Sequence, residues 1–180
     1  MMIPKIIHQV WIGPKNKPSY MGMWKEMNPD YEYILWDNDK IKEMLPLVNQ
    51  HLFDQWDTLE NGRWNGKTNI IRAEILYKYG GIYMDADCYP LRPLEDSLLD
   101  CTFFIPYENE KRNNLVASGI SGSTINHPIL LKYIEELHKE PVVKPPSWIF
   151  CGPGFFSKIF ESFKNTEGVR IVPSYYFLPH

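Results

Sequence analysis

This chain of 180 residues has few cysteines, no long apolar run and no excess of positive charge, and each absence excludes a class of protein. Its three cysteines, Cys88, Cys101 and Cys151, form no Cys-x-x-Cys pair, so neither a disulfide framework nor a zinc site is expected. The first residues enter a strand-like segment without a secretion signal, and no apolar run is long enough to span a membrane. We therefore expect a cytoplasmic protein with no membrane span.

The charge balance excludes a further set of partners. The formal net charge is −3, which argues against nucleic acid or an anionic membrane as the main partner. A phosphate-binding site in such a chain has to be a local concentration of positive charge. Hydrophobic and aromatic residues, by contrast, are plentiful, at 44% and 14% of the chain. They are enough for one core and leave little for a second, so we expect a single domain over residues 1–180.

Strand-like and helix-like segments alternate along the chain, which favours an α/β fold with a mostly parallel sheet. The predicted strands cover residues 5–11, 31–36, 82–89, 102–107, 115–118 and 169–172. The predicted helices cover residues 19–27, 39–59 with a break near Pro46, 69–79, 129–139 and 155–163. In open sheets of this class, ligands bind beyond the carboxyl ends of the strands.

The most informative segment is Asp85-Ala86-Asp87, which follows the apolar run Ile82–Met84. In a strand over residues 82–89, the two carboxylates share one face, with their backbones roughly 6.5–7 Å apart by strand rise. Carboxylate oxygens suit Mg²⁺ or Mn²⁺ better than zinc, and a metal held mainly by two carboxylates keeps positions open for a diphosphate. The segment predicts a divalent-cation site, although so short a pattern is weak by itself.

The helix before that segment carries Arg72 in the middle of its apolar face. A guanidinium that faces a core is costly unless it meets an anion. Two interpretations follow: a buried ion pair that only holds the fold, or a cation that reaches a ligand phosphate or orients the 85–87 segment. Glu74 and Lys78 are predicted to pair on the polar edge of the same helix. Gly80-Gly81 is predicted to end the helix and turn the chain into the aspartate strand.

A second match to the same pattern is Asp37-Asn38-Asp39, after the apolar run 33–36. Here the aspartates and the asparagine stand between a predicted strand and a predicted helix. Asp and Asn are common at helix N-termini, where their side chains accept hydrogen bonds from free backbone amides. Capping is therefore favoured over direct metal binding for this pair.

Three segments together resemble one family, the family-32 glycosyltransferases or DXD sugar-binding group. The longest runs from Lys67 to Asp87 and reads KTNIIRAEILYKYGGIYMDAD, while Ile3–Gly13 and Asn28–Asp37 resemble the first two strands of the family. The family includes capsular-polysaccharide transferases and Golgi mannosyltransferases and is related to glucosylating toxins. The resemblance implies a GT-A-like single domain, with a mostly parallel central sheet flanked by helices.

The resemblance also implies a reaction. A retaining, metal-dependent enzyme would move a hexose from a nucleotide-sugar donor to a glycan or a protein-linked sugar. Asp85 and Asp87 would hold Mn²⁺ or Mg²⁺ and Arg72 would meet the donor phosphates, so these three are the predicted catalytic residues. Many enzymes with this fold add a histidine near the C-terminal end to the metal site, and His180 is the candidate here. The alternative for His180 is a frayed terminus.

Four further residues are predicted to bind the donor. In the related toxins, the tryptophan matching Trp11 stacks on the nucleobase, and a tyrosine matching Tyr83 contacts the nucleotide; Ile12 follows Trp11 in the same motif. These matches favour UDP-hexose over GDP-mannose as the donor, while core packing is the alternative for both rings. Asn69 stands where the family usually has an aspartate that binds the donor sugar, which puts donor choice and rate in question.

Two other classes of protein remain open from the sequence. A sugar-nucleotide-binding module without catalysis is one, because Asn69 replaces a family carboxylate. A phosphatase of the haloacid-dehalogenase type is the other, since it also uses Asp-x-Asp after an apolar strand. Its pattern calls for Thr or Val after the second aspartate, where this chain has Cys88, and it normally stands at the start of the chain.

Overall fold

The computed structural model describes residues 2–60, 62–111 and 115–178, and it confirms the predicted α/β fold. The strands are β1 (Ile6–Val10), β2 (Glu32–Trp36), β3 (Gly81–Met84), β4 (Phe103–Pro106), β5 (Ile120–Ser123) and β6 (Val169–Val172). The α-helices are α1 (Met23–Met27), α2 (Gln50–Gln55), α3 (Arg63–Tyr79), α4 (Pro128–His138), α5 (Ser147–Phe150) and α6 (Pro153–Glu161). Short 3₁₀ segments cover Ser19–Gly22, Lys40–Met44, Trp56–Thr58, Asp96–Leu99 and Ser174–Tyr176. Within the described ranges, no helix combines the length and the apolar character that a bilayer-spanning helix needs.

The six strands form one mixed sheet in the order β2-β1-β3-β5-β4-β6. β1 runs parallel to both of its neighbours, β6 runs parallel to β4, and β5 is antiparallel to β3 and β4. The chain leaves β1 toward β2 on one side and returns in β3 on the other side, so the strand order reverses at β1. Ligands of α/β sheets bind at such a reversal, beyond the carboxyl ends of the strands. The segments that follow Val10 and Met84 lie at that point.

Apolar side chains pack against both faces of the sheet. On one face, Trp36 and Phe103 belong to the larger cluster, which includes buried residues of α3, α4 and α6. On the other face, Ile7 and Phe104 belong to a smaller cluster with Trp24 of α1. The neighbours Phe103 and Phe104 enter different clusters because successive strand residues point to opposite faces. The sheet is thus the middle layer of the molecule.

The prediction that Gly80-Gly81 ends the long helix is confirmed. Both glycines have positive φ, 64° and 89°, which glycine adopts without the steric cost that a Cβ brings. A Cβ on Gly81 would also lie 2.7 Å from the Ile6 carbonyl oxygen, so only glycine lets β3 approach β1 here. The chain passes from α3 directly into the strand that precedes the aspartates.

Two predicted strands have different bounds in the structure. The strand predicted over residues 82–89 ends at Met84, because the Cys88 amide donates to the Asp85 carbonyl at 3.0 Å and closes a turn. The aspartates therefore lie on a turn and not on one strand face. The strand predicted over residues 115–118 is wrong, and the strand of this region is β5, over Ile120–Ser123. Glycine suits the middle of β5, since a Cβ on Gly122 would lie 2.1 Å from the Phe104 ring.

Helix α3 is longer and more buried than predicted. It begins at Arg63, and Glu74 is buried in its middle, where the carboxylate accepts from the amides of Val48 and Asn49 at 2.9 and 3.1 Å. The predicted pairing of Glu74 with Lys78 is therefore wrong. The segment that leads into α2 covers this side of α3, and its free backbone amides need an acceptor. The periodic pattern placed Glu74 on the solvent side of the helix, whereas its carboxylate connects α3 with the segment that leads into α2.

Candidate active site

A cleft of about 580 Å³ opens beyond the ends of β1 and β3. It is lined by seven of the eight residues that the sequence singled out, namely Trp11, Ile12, Asn69, Arg72, Tyr83, Asp85 and Asp87. The eighth, His180, lies outside the described residues, so its role at a metal stays a prediction. The lining residues come from the loop after β1, from α3, from β3 and from the turn that follows it. We call this the donor cleft.

Asp85 is fixed at both its backbone and its side chain. Its amide donates to the Gly119 carbonyl at 2.8 Å, and its carbonyl accepts from Gln9 Nε2 at 3.2 Å. The Tyr83 hydroxyl donates to Asp85 Oδ1 at 3.1 Å, and Arg72 Nη1 lies 3.6 Å from the same oxygen. Tyr83 itself is fully buried, so its hydroxyl acts on the cleft through this carboxylate.

The Asp85 carboxylate lies directly against the backbone of Gly119. A Cβ at that position would be 2.0 Å from Asp85 Oδ2, a distance that non-bonded atoms do not tolerate. Gly119 has no left-handed φ, so close approach alone calls for glycine there. The residue before β5 therefore sets where one of the two predicted metal ligands can lie.

The surroundings of Asp85 act on its pKa in both directions. Burial raises the pKa of the carboxyl above its usual range, the Arg72 guanidinium lowers the pKa, and the Asp87 carboxylate raises it again. The side chain keeps 38% of its surface exposed, because it faces the open side of the cleft. A bound cation would offset both the burial of the ionised Asp85 carboxylate and its repulsion by the Asp87 carboxylate.

Asp87 lies on the exposed turn after β3 and lines the same cleft. Its carboxylate has no hydrogen bond or ion pair with another described residue. No group of three or more His, Cys, Asp or Glu residues suited to a metal occurs in the described part of the chain. Asp85 and Asp87 thus form a two-carboxylate set. Mg²⁺ and similar hard cations bind through one or two carboxylates and complete their shell with water and substrate phosphates, so the donor set fits such an ion.

Arg72 projects from α3 to the floor of the cleft. The residue is buried, and Nη2 donates to Ser118 Oγ at 2.5 Å. Its guanidinium also lies 5.9 Å from the centre of the Tyr83 ring. Together with the contact to Asp85, these partners fix the orientation of the Arg72 guanidinium, and the residue still lines the cleft. Arg72 thus contacts the aspartate and also lines the cleft, and its contact with a ligand phosphate stays a prediction.

Asn69 lies one turn before Arg72 on α3 and is also buried. Its Nδ2 faces the Ser147 carbonyl at 3.5 Å and Cys151 Sγ at 3.7 Å. The Tyr133 hydroxyl lies 3.4 Å from the backbone carbonyl of Asn69. The amide group is therefore turned toward α5 and the start of α6. Its role toward a donor sugar stays a prediction.

The second Asp-x-Asp segment braces the loop that carries Trp11. Asn38 makes two hydrogen bonds to the backbone of Gly13, each 2.9 Å long, and so ties the end of β2 to this loop. Asp37 Oδ1 accepts from the amides of Asp39 and Lys40 at 3.0 and 2.8 Å, which confirms the capping interpretation. Trp11 then closes the loop, with Nε1 donating to the Lys15 carbonyl at 2.8 Å. The ring forms one wall of the cleft.

Gly119 and Trp148 are among the cleft residues that sequence reasoning missed. Gly119 had a readable signal, because a glycine beside a strand pattern often marks a close backbone approach. Trp148 had none, since it lies on the one-turn helix α5, whose position depends on long-range packing.

Comparison with known proteins connects this geometry with a family. A family model described as a glycosyltransferase sugar-binding region containing a DXD motif matches residues 14–104, just over half of the chain. Inositol phosphoceramide mannosyltransferase 3 of Schizosaccharomyces pombe is 30% identical over 138 residues, which are 75% of this chain and 37% of that protein. Mannosyl phosphorylinositol ceramide synthase SUR1 of Saccharomyces cerevisiae is 34% identical over 200 residues, 97% of this chain and 48% of that protein. The chain thus spans less than half the length of these two relatives.

Solved structures with a similar fold are glycosyltransferase domains. The PaToxG glycosyltransferase superposes with a TM-score of 0.69 at 17% identity, over 89% of this chain and 69% of that one. The UDP-bound glycosyltransferase domain of the YGT toxin gives a TM-score of 0.65 at 11% identity, over 95% of this chain and 80% of that one. At these identities the likeness concerns the fold, and it agrees with the predicted GT-A-like architecture.

Proposed function

The chain belongs to the glycosyltransferases whose sugar-binding region contains a DXD motif, and we propose that it transfers a hexose from a nucleoside-diphosphate sugar to a hydroxyl acceptor. The observation that carries the proposal is that Asp85, Asp87 and Arg72 line one cleft at the strand-order reversal. We further propose that residues 1–180 form one catalytic domain, which the single sheet from β1 to β6 supports. Family membership argues against the phosphatase alternative.

The charges of the cleft suit the leaving group of such a donor. A diphosphate carries concentrated negative charge, which grows as the glycosidic bond breaks. Asp85 and Asp87 would hold Mn²⁺ or Mg²⁺, and the bound ion supplies Lewis-acid stabilisation of that charge. Arg72 provides a second, fixed positive charge, which Ser118 and Tyr83 keep oriented toward Asp85 and the cleft. A preorganised guanidinium needs no reorganisation when the charge develops.

Two donors are candidates. Trp11 stands at the position that stacks on the nucleobase in the related toxins, which favours UDP-hexose as the first candidate. Tyr83 matches a second nucleotide-contacting position of those toxins, but it is fully buried here and reaches the cleft through Asp85. The two yeast relatives are mannosyltransferases by name, which favours a mannosyl donor such as GDP-mannose. A retained, α-linked product and a glycan or protein-linked sugar acceptor follow from the family resemblance and belong to the same proposal.

A sugar-nucleotide-binding module without turnover is the second candidate function, and Asn69 is the observation that favours it. An amide can accept a hydrogen bond from a sugar hydroxyl but lacks the charge of the family aspartate. The Asn69 side chain is moreover turned toward Ser147 and Cys151. Both candidates are therefore expected to bind the nucleotide sugar, and only the catalytic domain is expected to turn it over.

Thermal-shift measurements with UDP-, GDP- and CMP-sugars, with and without Mn²⁺, followed by turnover of the stabilising donors, test the proposal. We expect one donor class to raise Tm only with Mn²⁺ and to be consumed by hydrolysis or transfer. The matched variant Asn69→Asp restores the family carboxylate and should turn over at least as fast. Stabilisation without turnover in both proteins would establish the binding module, and the absence of stabilisation by any donor would contradict both candidates.

A further inference from the structure

A second cleft of about 700 Å³ adjoins the donor cleft. The two share Asp87, Cys88, Glu108, Ile120 and Leu178 on their walls. The second cleft lies between the segment that follows β3 and the segment that follows β6. Whatever binds there reaches the same carboxylate turn as the donor, so the two occupants meet at Asp87.

Tyrosine rings stand exposed at the mouth of this second cleft. Tyr89 is 58% exposed and Tyr175 is 69% exposed. Tyr20 supports Tyr89 edge-on, with ring centroids 6.0 Å apart. Large aromatic surface at a cleft mouth is available to stack on a ligand. The apolar face of a sugar ring is such a ligand, since its axial C–H groups pack on an aromatic face while its hydroxyls point sideways.

The segments that form the cleft are tied to each other. The Tyr176 hydroxyl donates to the Glu95 carboxylate, and the Arg92 guanidinium lies 5.0 Å from the centre of the Tyr176 ring. Farther along the same wall, Glu110 accepts from the amide and the hydroxyl of Ser174 at 2.6 and 2.5 Å. These contacts fix the backbone on both sides of Tyr175 and tie the segment after β6 to the segment after β3.

The charge of the second cleft is predominantly negative. Asp87, Glu95 and Glu108 contribute carboxylates, whereas Arg92 is the one cation among the described lining residues. Arg92 is already engaged, because Nη1 lies 3.3 Å from Glu95 Oε1. Asp87 is assigned to the metal ion and Glu95 is paired with Arg92, which leaves Glu108 as the unpaired charge among the described lining residues. A phosphate placed here would therefore meet a free carboxylate and no unengaged guanidinium or ammonium among those residues. The electrostatics therefore favour an uncharged ligand over an anionic one.

Glu108 stands at the junction of the two clefts. Its amide is held by the Leu115 carbonyl at 2.9 Å, and the side chain is half-buried. The carboxylate makes no hydrogen bond or ion pair with the described residues. An ionised carboxylate accepts hydrogen bonds and cannot donate one, so it matches a hydroxyl group. Glu108 is thus placed to orient a sugar hydroxyl toward the donor cleft.

We propose that the second cleft binds the acceptor and that this acceptor is a neutral saccharide, with a sugar ring on Tyr89 or Tyr175 and a hydroxyl at Glu108. The inference rests on the proposed transferase function. It separates this chain from its yeast relatives, because inositol phosphoceramide, the substance in one of their names, carries a phosphate that the Glu108 carboxylate repels. Glu108 is a positioning residue for the acceptor and disfavours a phosphorylated sugar, while the tyrosines offer the surface on which the sugar ring stacks.

Saturation-transfer NMR on the full chain tests this with Mg²⁺ and either UDP or GDP bound. The probes are methyl α-mannopyranoside, methyl β-glucopyranoside, a neutral mannose disaccharide and mannose 6-phosphate. We expect a neutral saccharide to bind at least tenfold more tightly than mannose 6-phosphate. Tyr89→Ala and Tyr175→Ala should each weaken that binding by up to about tenfold, the worth of one good ring contact. Tyr89→Phe keeps the ring and should bind as the unchanged protein does.

Two further variants separate charge from packing. Glu108→Gln keeps the size of the side chain and should narrow the preference for neutral over phosphorylated sugar to a few-fold. Leu131→Ala removes an exposed apolar side chain of α4, away from both clefts, and should change nothing. Equal or tighter binding of mannose 6-phosphate, no saccharide binding, or no effect of both alanine substitutions would overturn the inference while nucleotide binding stays intact. Failure of UDP and GDP to bind would overturn the proposed function itself, and this inference with it.

Discussion

The Asp-x-Asp pattern occurs twice in this chain, each time directly after a parallel strand of the same sheet, and the two occurrences have different roles. After β2, the Asp37 side chain accepts hydrogen bonds from the backbone amides of the following turn, and Asp39 forms an ion pair with Lys42 at 2.6 Å. After β3, the Asp85 carboxylate meets a hydroxyl and a guanidinium, and Asp87 has no partner in the described part of the chain. The segment after β2 thus caps the following turn, whereas the segment after β3 presents two carboxylates to the cleft.

The difference lies in what packs around each turn. Around Asp85, a buried cation on α3 and a glycine before β5 leave room for the carboxylate and hold it in place. Around Asp37, the nearest groups are backbone amides, which an aspartate side chain satisfies at once. The chemistry of a short acidic pattern is therefore set by neighbours far away in sequence. Substitutions in the two turns and in the residues that pack on them therefore distinguish the two roles.

The largest effect is expected from Gly119→Ala. The new methyl group would overlap Asp85 Oδ2, so the carboxylate has to move, and a misplacement of about 1 Å at a reacting site can cost about 100-fold. We expect donor turnover to fall by about that factor. Gly22→Ala is the matched control, because nothing lies within 4 Å of a Cβ there. Equal kinetics in the two variants would show that the position of Asp85 does not matter.

The second prediction concerns His8 of β1, which bonds to the last residue of β2 and to the glycine that precedes β3. Trp36 Nε1 donates to His8 Nδ1 at 3.1 Å, and His8 Nε2 lies 2.9 Å from the Gly80 carbonyl, so the ring is neutral. Burial lowers the pKa of His8 from 6.5 to about 4. Between those values the unfolded state binds more protons, so the free energy of unfolding falls as the pH falls, by about 2 kcal/mol from pH 7 to pH 5.

Urea unfolding at several pH values measures this effect against a control variant. In His8→Gln the free energy of unfolding should change less steeply with pH, because the unfolded state no longer binds the proton of this histidine. The slope that remains includes His127, whose pKa burial likewise lowers to about 4. An unchanged slope in His8→Gln would contradict the assignment of this pH dependence to the buried histidine.

The third prediction concerns Arg72. Arg72→Met should weaken nucleotide-sugar binding about tenfold, the worth of a charge-assisted hydrogen bond. The free energy of unfolding should fall by only about 1–2 kcal/mol, because Asp85, the carboxylate left without its cation, faces the open cleft and is partly hydrated. Arg72→Lys keeps the positive charge but lacks the planar guanidinium, so its donor affinity should lie between that of the unchanged protein and that of Arg72→Met. A large loss of stability with unchanged donor affinity would show that the arginine only holds the fold.

The smallest effect is expected from Asp37→Ala. Loss of a cap costs about 1 kcal/mol, which lowers Tm by roughly 2–4 °C for a chain of this size. Donor affinity should change little, because Asn38 still braces the Trp11 loop. Scanning calorimetry and nucleotide titration together check this. A loss of donor affinity as large as that expected for Arg72→Met would give the first Asp-x-Asp segment a direct role.

The sequence predicts the sheet and the location of the site better than it predicts local geometry. The alternation of elements and the glycine pair at residues 80–81 are local signals, and both match the structure. The strand predicted over residues 82–89 failed, because a turn hydrogen bond at Cys88 overrides the apparent alternation. The periodic pattern also placed Glu74 in solvent, whereas the segment before α2 covers it. Periodicity describes one element and contains no information about what packs on it.

The candidate site shows the same limit. Residues that belong to a recognisable block, from Asn69 to Asp87, were found from the sequence. Gly119 and Trp148 were not, since each reaches the donor cleft only through the path of β5 or of the short helix α5. The proposed acceptor cleft is lined largely by loop residues such as Tyr175, whose sequence carries no pattern for a particular acceptor, so the sequence alone left the acceptor open.

Calorimetric titration of UDP and GDP in the presence of Mn²⁺ tests the central claim most directly, with two double variants of matched chemistry. One is Asp85→Asn with Asp87→Asn, and the other is Asp37→Asn with Asp39→Asn. If the donor site is built on the turn after β3, the first variant loses Mn²⁺-dependent nucleotide binding by at least about 100-fold, since two charged ligands are removed. The second should bind within about threefold of the unchanged protein. Equal affinities in the two variants, or a larger loss in the second, would contradict the account.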